Sequence, residues 1–340
     1  MKNQKGFLIH CCLFLFIIIN SSKSTPLDDY VHAEDPHFGW TLLQTYEEID
    51  YKLYILNFTS QKWLDETYSS RSIWWHYLCI TNLHHMYRSL VGWTFAFQDY
   101  YKLNITQYVD NDNMTKLSAI IDPLNYIDRF SKTKILQIQA TGDEFFLLDN
   151  EAVFWNDLQI ATGGSFLRRM PNADHVCVGH IISLFFTMRS FYMSVYDEKP
   201  LPKLQWIKST NNTHGYIRAT VDINSGPKPI GALGYRAQTL DDKRRDFRLL
   251  VGNPNDPTKA MANPVFWFTT DLVIEEQTST TIVYSLTIEN PMNGWEGFLI
   301  QVNFPGPDGT VLELTTETLI IPDTYPTDDC HGEQCLGSLV

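Results

Sequence analysis

The stretch that most constrains the fold is a short apolar run at residues 134–140, which Gly142 closes and Asp143 follows. A short apolar run that ends at a glycine is typical of a strand buried in a parallel sheet. The carboxyl end of such a strand opens into a loop, and functional groups gather at that edge of open parallel sheets. Asp143 is therefore predicted to lie where a site would be built.

A second strand is predicted to bring a histidine to the same edge. Residues 150–160 have the pattern of a helix, residues 166–169 have that of a short strand, and the loop after this strand carries His175. Parallel strands joined by a helix run in the same direction, so their carboxyl ends lie side by side. The sequence thus predicts that Asp143 and His175 are neighbours.

Two interpretations of this pair stay open from the pattern alone. An acid followed by a histidine is the back half of the Ser, Asp, His order of α/β-hydrolases. There, Asp143 would orient the imidazole of His175, and His175 would take a proton from a nucleophile. In the other interpretation Asp143 caps the following helix and His175 is an ordinary loop histidine, since a Gly-Asp turn and one histidine are weak signals.

The amino terminus has the organisation of a secretory signal peptide. Lys2 and Lys5 precede an apolar run at residues 7–19, and small and polar residues follow it. Because this run is short for a membrane span, we predict a signal peptide at residues 1–24 and a secreted, extracellular protein with no membrane span after cleavage.

The charge of the chain argues against nucleic acid as a partner. The 340 residues carry a formal net charge of −13, which becomes −16 when three lysines leave with the signal peptide. An acidic surface repels the phosphates of nucleic acids and of anionic membranes. We therefore expect an unidentified cell-surface or extracellular partner, and no cofactor.

Cysteines and glycosylation sequons fit an oxidising compartment. Four cysteines follow the signal peptide, and Cys330 with Cys335 is the easiest short pairing, although the connectivity is not readable. A metal site there is disfavoured because two cysteines and one histidine do not close a tetrahedral site. The glycosylation acceptors predicted from the sequence are Asn57, Asn104, Asn113 and Asn211.

The pattern changes at residue 200. From there to residue 322 the chain reads as short alternating strands separated by Asn, Gly and Pro, which predicts a β-sandwich of immunoglobulin-like size. The Cys, Trp, Cys arrangement of true immunoglobulin domains is not present in this part of the sequence. Residues 323–340 are predicted to form a polar, mobile tail.

Six motifs, in this order along the chain, resemble the PhoPQ-activated pathogenicity-related protein family, which includes a secreted proliferation repressor. They lie at residues 25–30, 56–63, 88–100, 140–146, 171–175 and 245–248. The resemblance implies an α/β-hydrolase domain at residues 25–198 and a C-terminal β-sandwich at residues 200–322. It also implies that Asp143 and His175 occupy the acid and histidine positions of the family.

One departure from the family matters for function. Family members carry several strands, an oxyanion loop and a nucleophile elbow in a region that corresponds here to residues 77–83 alone. The hydrolase-like domain is therefore predicted to be internally incomplete near residues 77–83, with about three parallel strands. Exposed strand edges would follow, and such edges favour self-association.

The glycine content supports the same conclusion independently. A nucleophile elbow needs small, glycine-like positions on both sides of its serine, because the turn is sharp and strained. Between residues 25 and 141 the glycines are Gly39 and Gly92, and neither forms an elbow with a serine. The nucleophile is therefore unknown, and an acid and a histidine without one have nothing to activate.

Three functions remain. The first is a secreted glycoprotein with a signalling or binding role, like the proliferation repressor of the family. In this interpretation the chain, with the sequence that it has, is not catalytic. The alternative is a secreted serine hydrolase of esters or amides whose nucleophile segment is missing from this chain. The third is a β-sandwich adhesion or carbohydrate-binding protein with a vestigial hydrolase domain.

Overall fold

The computed structural model describes residues 34, 36, 39–47, 52–59, 61–62 and 73–74, and residues 83–340 except residue 132. The chain divides into two compact units, Met1–Leu78 and Cys79–Val340, each described here by itself. The predicted signal peptide lies outside the described residues.

The described part of the first unit consists of antiparallel strands. Strand β1 (Gly39–Glu47) pairs with β2 (Lys52–Thr59), and β3 (Gln61–Lys62) pairs with β4 (Ile73–Trp74). Strands β1 and β2 follow each other in the sequence, and consecutive strands joined by a short turn pair antiparallel, as these do.

The second unit begins with short helices. They are α1 (Leu83–Leu90), α2 (Gln98–Lys102) and α3 (Asp112–Ile121), with 3₁₀ segments at Phe95–Phe97, Ile105–Tyr108 and Pro123–Phe130. The Asn111 side chain accepts the backbone N–H of Met114 at 2.8 Å, and that of Asp122 accepts the N–H of Leu124 at 2.9 Å. Polar caps of this kind satisfy donors that a helix start leaves unpaired, so the sequence itself sets these starts.

Two parallel strands follow. Strand β5 (Leu136–Ala140) pairs in parallel with β6 (Phe166–Met170). The connection holds a 3₁₀ turn, Asn150–Val153, and helix α4 (Trp155–Thr162), which stops at Gly163 in the left-handed conformation. Helix α5 (Ile181–Tyr196) comes after β6. Within the described residues the parallel sheet therefore has two strands, fewer than the three predicted.

The remainder forms antiparallel sheets. One sheet has the order β13 (Val273–Gln277), β14 (Thr281–Glu289), β8 (His214–Asp222), β7 (Lys203–Thr210). The other has the order β12 (Phe268–Thr270), β9 (Gly231–Gln238), β15 (Glu296–Pro305), β16 (Val311–Thr315), with β17 (Leu319–Ile321) also on β15. A separate hairpin joins β10 (Leu250–Asn253) to β11 (Asp256–Ala262).

These two larger sheets share one core. Buried apolar side chains from β8 and β14 on one sheet and from β15, β16 and β17 on the other form a single cluster, which includes Ile217, Leu286, Phe298 and Ile300. Along β8, buried and partly exposed positions alternate, as the two-residue period of a strand requires. The described chain is therefore a mixed α/β protein whose main core lies between antiparallel sheets.

The predicted polar tail packs against the second unit. The indole N–H of Trp93 donates to the Cys335 carbonyl at 2.8 Å, and the backbone N–H of Val340 donates to the Trp93 carbonyl at 2.7 Å. Cys330 and Cys335 form a disulfide, and both are buried. Val340 also packs against the buried cluster of Met86, Leu90 and Leu147, a contact that the polar composition of residues 323–340 does not reveal.

Strand β6 is joined to the antiparallel sheet by buried charge. Arg168 pairs with Glu313 of β16, and the backbone N–H of Arg169 donates to the Thr315 hydroxyl at 2.9 Å. The Arg169 guanidinium pairs with Glu151, and both side chains are buried. The amide of Gln137 donates to the same Glu151 carboxylate at 3.0 Å, so the acid is held from both strands of the parallel pair.

We expect Glu151→Ala to be strongly destabilising. The substitution leaves the Arg169 guanidinium buried without its carboxylate, a change that costs about 3–5 kcal/mol. Chemical denaturation followed by circular dichroism measures the free energy of unfolding. Lys203→Ala is the matched control, because it breaks an exposed pair with Asp222 that water and salt screen, so its loss of stability should be much smaller. Equal losses in the two variants would contradict a structural role for the buried pair.

Candidate functional site

The loops that follow β5 and β6 are joined by backbone hydrogen bonds. The N–H of Thr141 donates to the Met170 carbonyl at 3.0 Å, and the N–H of Gly142 donates to the Ala173 carbonyl at 2.9 Å. The N–H of Asn172 donates to the Thr141 hydroxyl at 3.0 Å. The parallel ladder thus continues past the ends of the strands and fixes the two loops beside each other.

Gly142 is required by a close approach of a third segment. Its carbonyl accepts the N–H of Leu249 at 3.1 Å, from the loop that precedes β10. A Cβ atom at this position would lie 2.4 Å from Cγ of Leu249 and 3.0 Å from the Ala173 carbonyl oxygen. A residue with a side chain would therefore push these loops apart. The glycine that the sequence indicated as the end of a strand also allows this contact.

Asp143 and His175 are in direct contact. The ring Nδ1 of His175 lies 3.0 Å from each carboxylate oxygen of Asp143. Oδ1 of Asp143 also accepts the backbone N–H groups of Phe145 at 2.7 Å and Phe146 at 3.0 Å. The same carboxylate therefore stabilises the turn after β5 and orients the imidazole. Residues 144–149 form no helix, so Asp143 does not act as the helix cap that the sequence left as an alternative.

Glu144 is a third member of this cluster, and sequence reasoning missed it. Its Oε2 accepts the backbone N–H of His175 at 3.1 Å, and its side chain is buried. Burial raises the pKa of Glu144, more than the hydrogen bond from His175 lowers it. Its position next to Asp143 was a usable signal, but only the fold shows that the side chain reaches the loop after β6.

Two aromatic rings and the carboxylate of Asp143 surround the imidazole of His175 and affect its pKa. The His175 ring centroid lies 4.5 Å from that of Phe145 and 5.7 Å from that of Phe146. The hydrogen bond to Asp143 raises the pKa of His175, although partial burial acts in the opposite direction. The side chain of His175 is 38% exposed and that of Asp143 is 5% exposed. The arrangement is an oriented imidazole whose ring is open to solvent on one side.

The ring has no nucleophile beside it in the part of the chain that the structure describes. There, the hydrogen bonds of the imidazole are those from Nδ1 to Asp143, and Nε2 makes none. The neighbouring thiol, Cys177, contacts the carbonyl of His175 at 3.9 Å rather than the ring, and burial raises its pKa. A raised pKa disfavours the reactive thiolate, so Cys177 is not an activated nucleophile.

The same loops thus hold an acid, a histidine and aromatic residues at the edge of a parallel strand pair, which is the arrangement of the family motifs. Residues 27–82 and 79–248 match the model of a family described as PhoPQ-activated pathogenicity-related protein. This chain belongs to that family.

A curated relative supports the assignment. The chain is 31% identical over 265 residues to the autocrine proliferation repressor protein A of Dictyostelium discoideum. The alignment covers 76% of this chain and 52% of the relative. The chain therefore spans about half the length of the curated relative that it matches.

The match to the PhoPQ-related family is divided into two segments that meet at residues 79–82. The boundary between the two compact units falls at the same place, between Leu78 and Cys79. The division of the family match and the boundary between the units thus fall at the same point in the chain, which is where the sequence analysis expects a departure from the family pattern.

A second polar cluster gives a role to the motif at residues 245–248. Asp149 accepts from the Arg245 guanidinium at 2.5 Å and lies 2.6 Å from Nε2 of His85. Burial opposes ionisation of Asp149, but Arg245 and His85 outweigh it and hold its pKa well below the usual range. Both Arg245 and Arg88 stack over the Tyr325 ring, at 4.3 and 4.0 Å. Arg245 of this motif therefore contacts the loop after β5 through Asp149 and the C-terminal segment through Tyr325, and Asp149 in turn contacts α1.

The predicted glycosylation acceptors are accessible where the structure describes their side chains. Asn104, Asn113 and Asn211 are exposed, and Asn57 lies in β2. Within the described residues, no helix is both long enough and apolar enough to cross a membrane. Nor does this part of the chain contain a cluster of three or more His, Cys, Asp or Glu side chains that could hold a metal ion.

We expect Asp143→Asn to lower the pKa of His175, because the hydrogen bond to this carboxylate is the main cause of the raised value. Asn keeps the oxygen that accepts from Phe145 and Phe146, so the turn should persist. Nuclear magnetic resonance titration of the imidazole Cε1 proton measures the change. Glu144→Gln, which removes a smaller charge effect, should lower the pKa less.

The raised pKa of His175 also makes the stability of the fold depend on pH. Folding raises the pKa of His175, so its contribution is fully present below the unfolded value near pH 6.5 and is lost as the pH rises through the folded pKa. Asp143→Asn should weaken this dependence. An unchanged His175 titration in that variant would contradict the assigned contact.

Proposed function

We propose that this member of the PhoPQ-related family is a secreted glycoprotein with a signalling or binding role and that it is not catalytic as it stands. The observation that carries the proposal is the exposed imidazole of His175, oriented by Asp143 but without a nucleophile among the described residues. The glycine content of residues 25–141, which offers no elbow, supports it from the sequence.

We also infer the finer fold. The parallel strands β5 and β6, with α4 between them, correspond to the end of an α/β-hydrolase domain, where the acid and the histidine follow successive strands. The two antiparallel sheets with their shared core correspond to an immunoglobulin-like β-sandwich at residues 200–322. The first domain would then be an incomplete hydrolase fold that keeps its acid and histidine.

The extracellular location rests on several features. The predicted signal peptide, the exposed acceptors Asn104, Asn113 and Asn211, and the Cys330–Cys335 disulfide all suit an oxidising, glycosylating pathway. The relative from Dictyostelium discoideum is named as a proliferation repressor, which makes a role in regulating cell number the first to test. An extracellular partner would then bind to the surface of this chain.

The alternative function is a secreted serine hydrolase whose nucleophile belongs to a segment that is missing near residues 77–83. The retained geometry of Asp143 and His175 favours it, because a triad histidine needs this orientation. The divided family match and the greater length of the relative favour it as well. Such a segment would have to supply both a serine near Nε2 of His175 and the oxyanion donors.

Peptide mapping of the native secreted protein separates the two forms. The tryptic peptide of residues 72–88 contains no internal Lys or Arg and spans the discontinuity. We expect to find it, because the short chain carries the function that we propose. Its absence, together with additional peptides that contain a glycine-flanked serine, would favour the hydrolase.

Fluorophosphonate labelling tests catalysis directly. The 340-residue form should label on no serine, since none is activated by His175. His175→Ala is the matched control, because labelling that depends on the triad disappears when the base is removed. A serine that is labelled in the unmodified chain and unlabelled in this variant would refute the non-catalytic proposal.

A further inference from the structure

Helix α5 exposes an apolar face to solvent. Eight large apolar side chains of this helix are between 39% and 71% exposed: Ile181, Ile182, Phe185, Phe186, Met188, Tyr192, Val195 and Tyr196. In the loop before the helix, Val176 and Val178 extend the same kind of surface. The one charged residue of the helix is Arg189, which pairs with Asp308 at 2.7 Å.

The face of α5 that packs against the protein carries buried hydroxyl groups beside two apolar side chains, Leu184 and Phe191, which pack against the core. Thr187, Ser190 and Ser194 are buried, at spacings of three and four residues that place them on one side of a helix. Arg168 donates to the Thr187 hydroxyl at 2.5 Å, and Ser190 donates to the Thr310 hydroxyl at 2.6 Å. Hydroxyl groups thus occupy part of the inward face, while most of the aromatic side chains of the helix face outward.

The outward face of α5 differs from that of an ordinary surface helix. An amphipathic helix of a globular protein turns its apolar stripe to the core and its polar residues to water. A continuous apolar patch of this extent on an otherwise acidic protein marks an interaction surface. The outward face of α5 therefore has the properties of a surface that another polypeptide covers.

The size of the patch matches one side of a stable protein interface. A fully exposed large side chain presents about 200 Å², so the eight exposed fractions correspond to about 850 Å². A standard interface buries about 800 Å² on each partner. The helix is 16 residues long, which at about 1.5 Å per residue gives about 24 Å of contact along its axis.

The chemistry of the face favours a second copy of this chain. The one charged residue of the helix, Arg189, is paired with Asp308, so the face presents no net charge that could select a charged partner. A helix that lies on anionic lipid carries lysines and arginines on its polar face, whereas here that face consists of buried hydroxyl groups. In a twofold dimer the same patch meets itself, so an uncharged apolar face is self-complementary without further design.

We propose that α5 is the interface through which two copies of this chain associate, helix against helix around a twofold axis. The interface lies on α5, apart from the contact between Asp143 and His175. Sedimentation equilibrium of the full secreted chain over about a hundredfold dilution range measures it, because such association depends on concentration. The expected result is twice the mass of one chain at the upper concentrations.

The decisive variant is Ile182→Glu combined with Phe186→Glu. Both side chains are exposed, at 71% and 53%, so the fold should persist, and the charges should leave a monomer at all concentrations. The matched control is Ile207→Glu combined with Phe268→Glu, which replaces side chains of 60% and 67% exposure on β7 and β12 and should remain dimeric. Circular dichroism confirms that each variant is folded.

Three outcomes would overturn the proposal. The first is a dimer that persists in the Ile182→Glu, Phe186→Glu variant. The second is an unmodified chain that is monomeric throughout the dilution range. The third is a monomer that floats with vesicles of phosphatidylcholine and phosphatidylserine and loses this property in the variant, since lipid would then cover the face.

Discussion

The hydrogen bonds of Gly142 are the constraint on which the site depends. Its N–H donates to the loop after β6 and its carbonyl accepts from Leu249, so three segments far apart in sequence meet at one residue. Only a residue without a side chain permits this approach. The position of Asp143 beside His175 follows from this junction together with the parallel register of β5 and β6, and not from either residue alone.

Buried ion pairs around this junction hold the neighbouring segments in place. Arg169 and Glu151 link the parallel pair, while Arg245 and Asp149 link the loop after β5 to the residues before β10. Isolated buried charges are costly, so each partner requires the other to be in place. The acid and histidine therefore lie on a framework that would keep its geometry whether or not a nucleophile approaches. If this chain lacks the elbow, as we propose, the framework accounts for the retained pair.

Much of this region could be predicted from local sequence. The apolar runs, the helix between them and the glycine at the end of β5 carry strong short-range signals, and they gave the strand pair and the proximity of Asp143 to His175. The role of Glu144 could not be predicted, because its contact is with a backbone N–H more than thirty residues away. The packing of the C-terminal segment could not be predicted for a similar reason, since its partner Trp93 lies near the start of the second unit.

The sequence by itself determined the order of the elements, the membership of the PhoPQ-related family and the point of departure from it, because these depend on motifs and spacing. Only the tertiary structure decided which strands pair, which carboxylates meet His175 and which way α5 faces. Helix α5 carries apolar side chains both on its outward face and on its inward face, where Phe191 packs on Phe166, so its local pattern does not fix its orientation. The buried Arg168, which donates to the Thr187 hydroxyl, decides the orientation, and no local pattern contains that contact.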